Sequence, residues 1–207
     1  MKKKALLIGN YLNAFYHPLG QVEAMFKEIY QDIAEITTTE DFDVLTSPKM
    51  LEYDFCISYA DCWEEKLSQA QVSGLINFVN SGRGLIVIHN GISFQQNYEF
   101  AQMVGARFTG HPPYCNLKFS VINTRHPITQ GIIAFEMEEE PYRFEFDSFS
   151  KKTVLVSYLF ENKEYPAVWV NSYGLGKVVY LMPGHDPKSF NHPVYRELLV
   201  NSAEWVI

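Results

Sequence analysis

Hydrophobic residues in this chain follow two patterns that alternate through its first half. Short unbroken apolar runs, KALLIG (4–9), DFCISYA (54–60) and GLIVI (84–88), have the length and composition of strands buried on both faces. Between them, Val22, Met25, Phe26 and Ile29, and later Val72, Leu75, Ile76 and Val79, recur at helical spacing, and each set marks one apolar face. DFDVL (41–45) reads as a further strand, and residues 94–104 read as a short helix closing at Gly105. Such alternation predicts a parallel sheet with helices on both faces. The second half changes character. CNLKFSVI, PYRFEF, TVLVSYLF, YPAVWVNS and GKVVYLM are strands separated by short turns, which predicts antiparallel additions, and VYRELLVNSAEWVI closes the chain as a helix. The expected fold class is α/β, a three-layer, mostly parallel sheet flanked by helices with antiparallel strands added in the second half. No linker, low-complexity segment or internal repeat interrupts residues 1–207, so one domain is expected.

Composition narrows the function classes. A net charge of −7, with Lys2-Lys3-Lys4 as the only basic run, argues against a nucleic-acid partner, because phosphate binding needs clustered Lys and Arg. The 13 Tyr and 15 Phe supply an aromatic-rich core and side chains suited to ligand surfaces. Cys56, Cys62 and Cys115 are an odd number without paired spacing, so neither a disulfide framework nor a CxxC metal site is implied. No apolar run reaches membrane-spanning length, and the stretch after the lysines, broken by Asn10, is too short for a signal-peptide core. The expectation is a cytoplasmic protein with no membrane partner.

In open α/β sheets, ligands bind outside the carboxyl ends of the strands. Asn10 and Asn13, with His17 close behind, follow the first run; Asp61 follows the second; His89 and Asn90 follow the third. His185 and Asp186 follow the last long strand, after a tight Met182-Pro183-Gly184 turn. These residues should converge on one edge of the sheet, and their convergence is a stronger signal than any one of them. Asp61 could instead cap a helix near Trp63. His111 lies in a loop expected to cross the sheet edge. His126-Pro127 reads as a turn, and His192-Pro193 as the start of the last helix.

Five segments in order give the chain a resemblance to the ThuA-like, or trehalose-utilization, family within the class I glutamine amidotransferase-like, flavodoxin-like fold. They are Gly82-Arg83-Gly84-Leu85-Ile86-Val87-Ile88-His89; Gly105-Ala106-Arg107-Phe108-Thr109-Gly110-His111-Pro112; His126-Pro127-Ile128-Thr129-Gln130-Gly131; Glu139-Glu140-Pro141-Tyr142; and Pro166 through Gly184-His185-Asp186. The N-terminal third matches more loosely. Laid over the amidotransferase elbow, Val87-Ile88-His89-Asn90-Gly91 puts His89 where the catalytic cysteine would stand. Without a thiolate there is no acyl-enzyme, so the resemblance implies no glutaminase activity by that route. Cys62, on a different strand, is a poor substitute.

The resemblance thus leaves an edge rich in histidine and carboxylate, suited to two chemistries on a sugar or keto-sugar. In one, His89, His111 and His185, with Asp186 or Glu140, ligate a divalent metal such as Zn²⁺. In the other, His89, His185 and Asp186 act as acid and base on a sugar-like ligand. The ligand would be held by Asn10, Asn13, His17, Asp61, Asn90, Glu140 and Tyr142. No nucleotide cofactor is implied. An alternative of another class is a non-catalytic module that binds a small metabolite or regulates. The last helix and the second-half strands leave room for a homo-oligomer, and a packed monomer accounts for them equally.

Overall fold

The computed structural model describes residues 2–207. Its first apolar run forms β1 (Lys3–Gly9), with Ala5 to Ile8 fully buried. Two strands flank it in parallel, β2 (Ala34–Thr39) and β3 (Phe55–Tyr59), and β3 pairs in parallel with β4 (Gly84–Ile88). α1 (Glu23–Ile29) precedes β2. α2 (Gln69–Asn80) precedes β4 and opens on a capping box between Ser68 and Gln71. β4 leads through a tight 3-10 turn, His89–Gln96, into α3 (Tyr98–Val104), which ends on left-handed Gly105.

Seven strands follow: β5 (Ala106–Gly110), β6 (Cys115–Val121), β7 (Phe135–Glu139), β8 (Arg143–Phe146), β9 (Thr153–Phe160), β10 (Lys163–Tyr173) and β11 (Gly176–Leu181). The chain then closes with α4 (Pro193–Val206). The main sheet runs β2-β1-β3-β4-β11-β10-β9-β6-β7, and β5 pairs with β8 in a separate ribbon. β11 is the hinge of the topology. It pairs in parallel with β4 and antiparallel with β10, so the last strand returns to the centre and ends beside the end of β4. α1 packs on α4 and α2 on α3, and these pairs flank the sheet.

Local sequence and structure part company at several places. DFDVL is a 3-10 turn over Phe42–Thr46, started by the Asp41 side chain accepting the Asp43 N–H at 2.9 Å. The strand lies earlier, in β2, a half-exposed edge whose AEITTT lacks an apolar run. Asp61 caps no helix, because residues 61–68 are irregular and Ser68 caps α2. The segment 94–104 divides between the 3-10 turn and α3. His192 does precede a helix with Pro193 in its first turn, and His126 opens a short 3-10 turn. Among the described residues no helix is long and apolar enough to cross a membrane.

Candidate functional site

All five residues of β4 are buried, and the chain leaves the strand by an abrupt reversal at His89, whose φ is +46°. A side chain in that region costs about 1–3 kcal/mol and persists only where its surroundings over-determine it. Here they do. His89 Nδ1 lies 2.7 Å from the Met182 carbonyl, the ring stacks on Tyr142 with centroids 4.2 Å apart, and His17 meets it edge-on at 4.7 Å. Two residues on, Gly91 lies against β3 so closely that a Cβ would sit 1.9 Å from the Ser58 carbonyl oxygen. The Ser58 hydroxyl donates to the Gly91 carbonyl at 2.9 Å. This is the strand-to-turn geometry that elsewhere presents a nucleophile, with an imidazole at its tip.

A carbonyl only accepts, so Nδ1 of His89 carries a proton, and in the neutral ring Nε2 is the nitrogen left with a lone pair. That Nε2 is buried, makes no hydrogen bond among the described residues, and lies 3.4 Å from Glu140 Oε2. His185 arrives from the loop after β11. The loop passes close to the elbow at Gly184, where φ is +138° and a Cβ would be 3.1 Å from that of His89. His185 Nδ1 lies 3.1 Å from Glu140 Oε2 and 3.0 Å from His17 Nε2. His17, on the loop after β1, is itself buried, and its Nδ1 has no partner.

Four side chains thus converge. His17, His89, Glu140 and His185 each offer one ligand atom, and these atoms lie within 4.8 Å of one another. Three imidazole nitrogens and a carboxylate oxygen form a borderline donor set that could hold a metal ion. The electrostatics agree. Burial, reinforced by the neighbouring imidazoles of His89 and His185, pushes His17 down to about 2, so its ring stays neutral. Burial would raise Glu140, but the hydrogen bond from His185 and the nearby His89 ring outweigh it and hold the carboxyl below its usual range. The hydrogen bond to Glu140 is also the main reason His185 is raised. A neutral imidazole and an ionised carboxylate are the ligand forms of both groups.

Above the cluster opens a cavity of about 450 Å³, walled by Tyr16, Trp63, Phe108 and Tyr142 and floored by His17, Glu140 and His185. His111 is on its wall, with Nε2 3.6 Å from Glu140 Oε1, the carboxylate oxygen turned away from the other histidines. The metal set expected from the sequence, His89, His111 and His185, therefore differs from the observed group at one member. His17, expected as a ligand-binding residue, stands where His111 was placed. Asp186 lies outside the cavity lining, and its Oδ1 accepts the Lys188 N–H at 2.8 Å in the local turn. Asn90 is fully buried and donates to the carbonyls of Tyr59 and Ala60, tying the elbow to β3.

Asn10, Asn13 and Asp61 border a neighbouring cavity of about 680 Å³ that shares Trp63 with the first. Cys62 lies there too, its thiol pushed up to about 11 by burial, which suits an inert side chain rather than a nucleophile. Glu139, not singled out by the sequence, is fully buried and faces the loop that carries His185. The only local sign of it is a second acid beside Glu140 at the end of a strand whose burial alternates.

Fold and site together define a class, the doubly wound α/β proteins with a strand-end elbow, here presenting histidine. Within that class, the family model described as ThuA, trehalose utilisation, matches residues 6–206, and the chain belongs to this family. Among solved structures it is similar to a thua-like protein from Bacteroides uniformis, with 22% identity, a TM-score of 0.81, and coverage of 99% of this chain and 91% of that one. A thua-like protein from Parabacteroides merdae shares 16% identity at a TM-score of 0.83, over 100% of this chain and 90% of that one. A cytoplasmic protein from Salmonella typhimurium shares 13% at 0.67, over 98% of each chain. At these identities the likeness is one of fold. No curated protein matches the sequence.

Proposed function

We propose that this chain is an enzyme of carbohydrate catabolism, acting on a sugar or keto-sugar at a divalent-metal centre held by His17, His89, His185 and Glu140. The observation that carries this is the convergence of four ligand atoms within 4.8 Å beneath an aromatic-walled cavity. Nitrogen and carboxylate donors suit Zn²⁺ among the biological cations. Bound there, such an ion would polarise a sugar oxygen or activate water. Tyr16 and Trp63 offer flat apolar faces for a sugar ring. His111, a third exposed and beside Glu140, is placed to exchange a proton with a bound ligand. The absence of a cysteine at residue 89 argues against glutaminase chemistry. A cytoplasmic setting belongs to the same proposal.

The test is metal analysis of the purified chain together with turnover of a panel of disaccharides, monosaccharides and their keto forms. We expect a divalent metal at one per chain and turnover that disappears in His89→Ala. No bound metal, together with no turnover sensitive to His89→Ala, would sink the proposal. A sugar that raises the melting temperature without being converted would point instead to a metabolite-binding module.

A further inference from the structure

His17 and His185, whose ring nitrogens lie 3.0 Å apart, are both carried on loops rather than on strands. Loops do not hold position unaided, yet a catalytic constellation has to be kept within about 0.5 Å of its working geometry. Each loop is gripped in the same way. Asp61, 2% exposed, accepts two successive main-chain N–H groups on Oδ2, from Tyr16 at 2.6 Å and from His17 at 3.0 Å. Glu139, fully buried, accepts the Gly184 N–H at 2.9 Å on Oε1 and the His185 N–H at 3.3 Å on Oε2, and the Ser189 hydroxyl also donates to Oε1. In both places the two N–H groups belong to the histidine and the residue before it. Among the described residues neither carboxylate accepts a hydrogen bond from an imidazole.

We infer that Asp61 and Glu139 are positioning residues, a pair of buried carboxylate braces that fix the main chain of His17 and of His185 and so decide where the two rings meet Glu140. The inference rests on the metal-centre reading for its consequence but not for its geometry. Charge-assisted hydrogen bonds are roughly twice as strong as neutral ones. Burial raises the Glu139 carboxyl, and the Ser189 hydroxyl with the main-chain N–H groups of Gly184 and His185 acts against that rise. A buried carboxylate has to be hydrogen-bonded to be tolerated. Both oxygens of Glu139 and Oδ2 of Asp61 are used on the loop backbone, while Oδ1 of Asp61 is buried without a partner among the described residues. Asp61 thereby has a role other than ligand contact, and Glu139 has one alongside its neighbour Glu140. The two acids at the end of β7 divide the work, one holding the loop and one facing the histidines.

The two braces differ in chemistry, and the difference makes the test sharp. Asp61 uses a single oxygen for both N–H groups, so Asp61→Asn keeps an acceptor in place. Glu139 uses both oxygens, so Glu139→Gln must turn an NH₂ donor toward an N–H or hydroxyl donor. Zn²⁺ affinity of the full chain would be measured by competition with a chromogenic chelator, and amide hydrogen exchange would be followed in the metal-free protein. Glu138→Gln, on the exposed side of the same strand, serves as control.

Loss of an outer-shell partner typically weakens metal binding about 10–100-fold, and we expect that loss for Asp61→Ala, Glu139→Ala and Glu139→Gln. Asp61→Asn should stay close to wild type. Protection should fall at Tyr16 and His17 in Asp61→Ala, and at Gly184 and His185 in both Glu139 variants. Unchanged affinity and protection in both alanine variants would overturn the inference, as would an Asp61→Asn protein no better than Asp61→Ala. If wild type binds no Zn²⁺, the metal-centre proposal fails, and the exchange pattern alone decides for or against the braces.

Discussion

In the parallel part of the sheet, the chemical groups follow central, largely buried strands, whereas in the antiparallel part they follow an edge. His89 comes directly after β4, whose five residues are all buried, and His185 comes four residues after β11, which lies beside it. Glu140 and Tyr142 come after β7, the outermost strand, where Glu136 and Glu138 face solvent and only β6 pairs with it. The histidines therefore follow the most buried strands of the sheet, and the carboxylate follows its edge. A cation or shared proton between them would tie the two parts together. Glu139 performs part of that task already, reaching from the end of β7 to the loop after β11.

That contrast can be broken most severely on the buried side. His89→Ala removes a ligand atom, a stacked ring and a hydrogen bond at a site with no solvent access. It should abolish metal uptake and cost about 3 kcal/mol, as truncation of a large buried side chain does; metal analysis and urea unfolding read the two effects. Gly91→Ala tests the elbow without touching an imidazole. Its methyl would meet the Ser58 carbonyl oxygen at 1.9 Å, and forcing β3 and the turn apart should cost roughly 2–3 kcal/mol in urea unfolding.

The seam itself is tested by pH. His17 binds a proton at its ordinary 6.5 when unfolded but only near 2 when folded, so stability of the metal-free protein should fall as pH drops below 6.5. His185 has the opposite sign. Its folded value is raised by Glu140, so its contribution is full below 6.5 and is lost as pH climbs through that raised value. Thermal melts of the metal-free chain should thus be highest near the ordinary histidine value, and Glu140→Gln should remove the alkaline decline. A flat profile from pH 5 to 8 would contradict this picture. The smallest effect is expected at the far end of β11. Leu175 is 81% exposed at the hairpin before the strand, and Leu175→Ser should change stability by less than about 0.5 kcal/mol.

Legibility from the sequence follows the same division. A strand buried on both faces must be apolar throughout, so KALLIG, DFCISYA and GLIVI declare themselves, and the polar residue that ends each is visible with it. An edge strand carries no such run. β2 reads AEITTT and β7 reads FEMEE, and neither stands out from a loop. Glu139 is hidden for a further reason, since its partners Gly184 and His185 lie 45 and 46 residues away.

Residue order alone was therefore enough for the central strands, the α/β class and the histidine at the elbow, because burial in a parallel sheet writes itself into consecutive residues. Which of the six histidines meet was settled only in three dimensions. His17 and His185 are 168 positions apart, and they come together because β11 returns to the side of β4 and because two buried carboxylates hold their loops. His111 belongs to a stretch that resembles the family and still reaches only the outer oxygen of Glu140. Contacts of that range depend on strand order and on main-chain hydrogen bonds, neither of which has a local spacing to read.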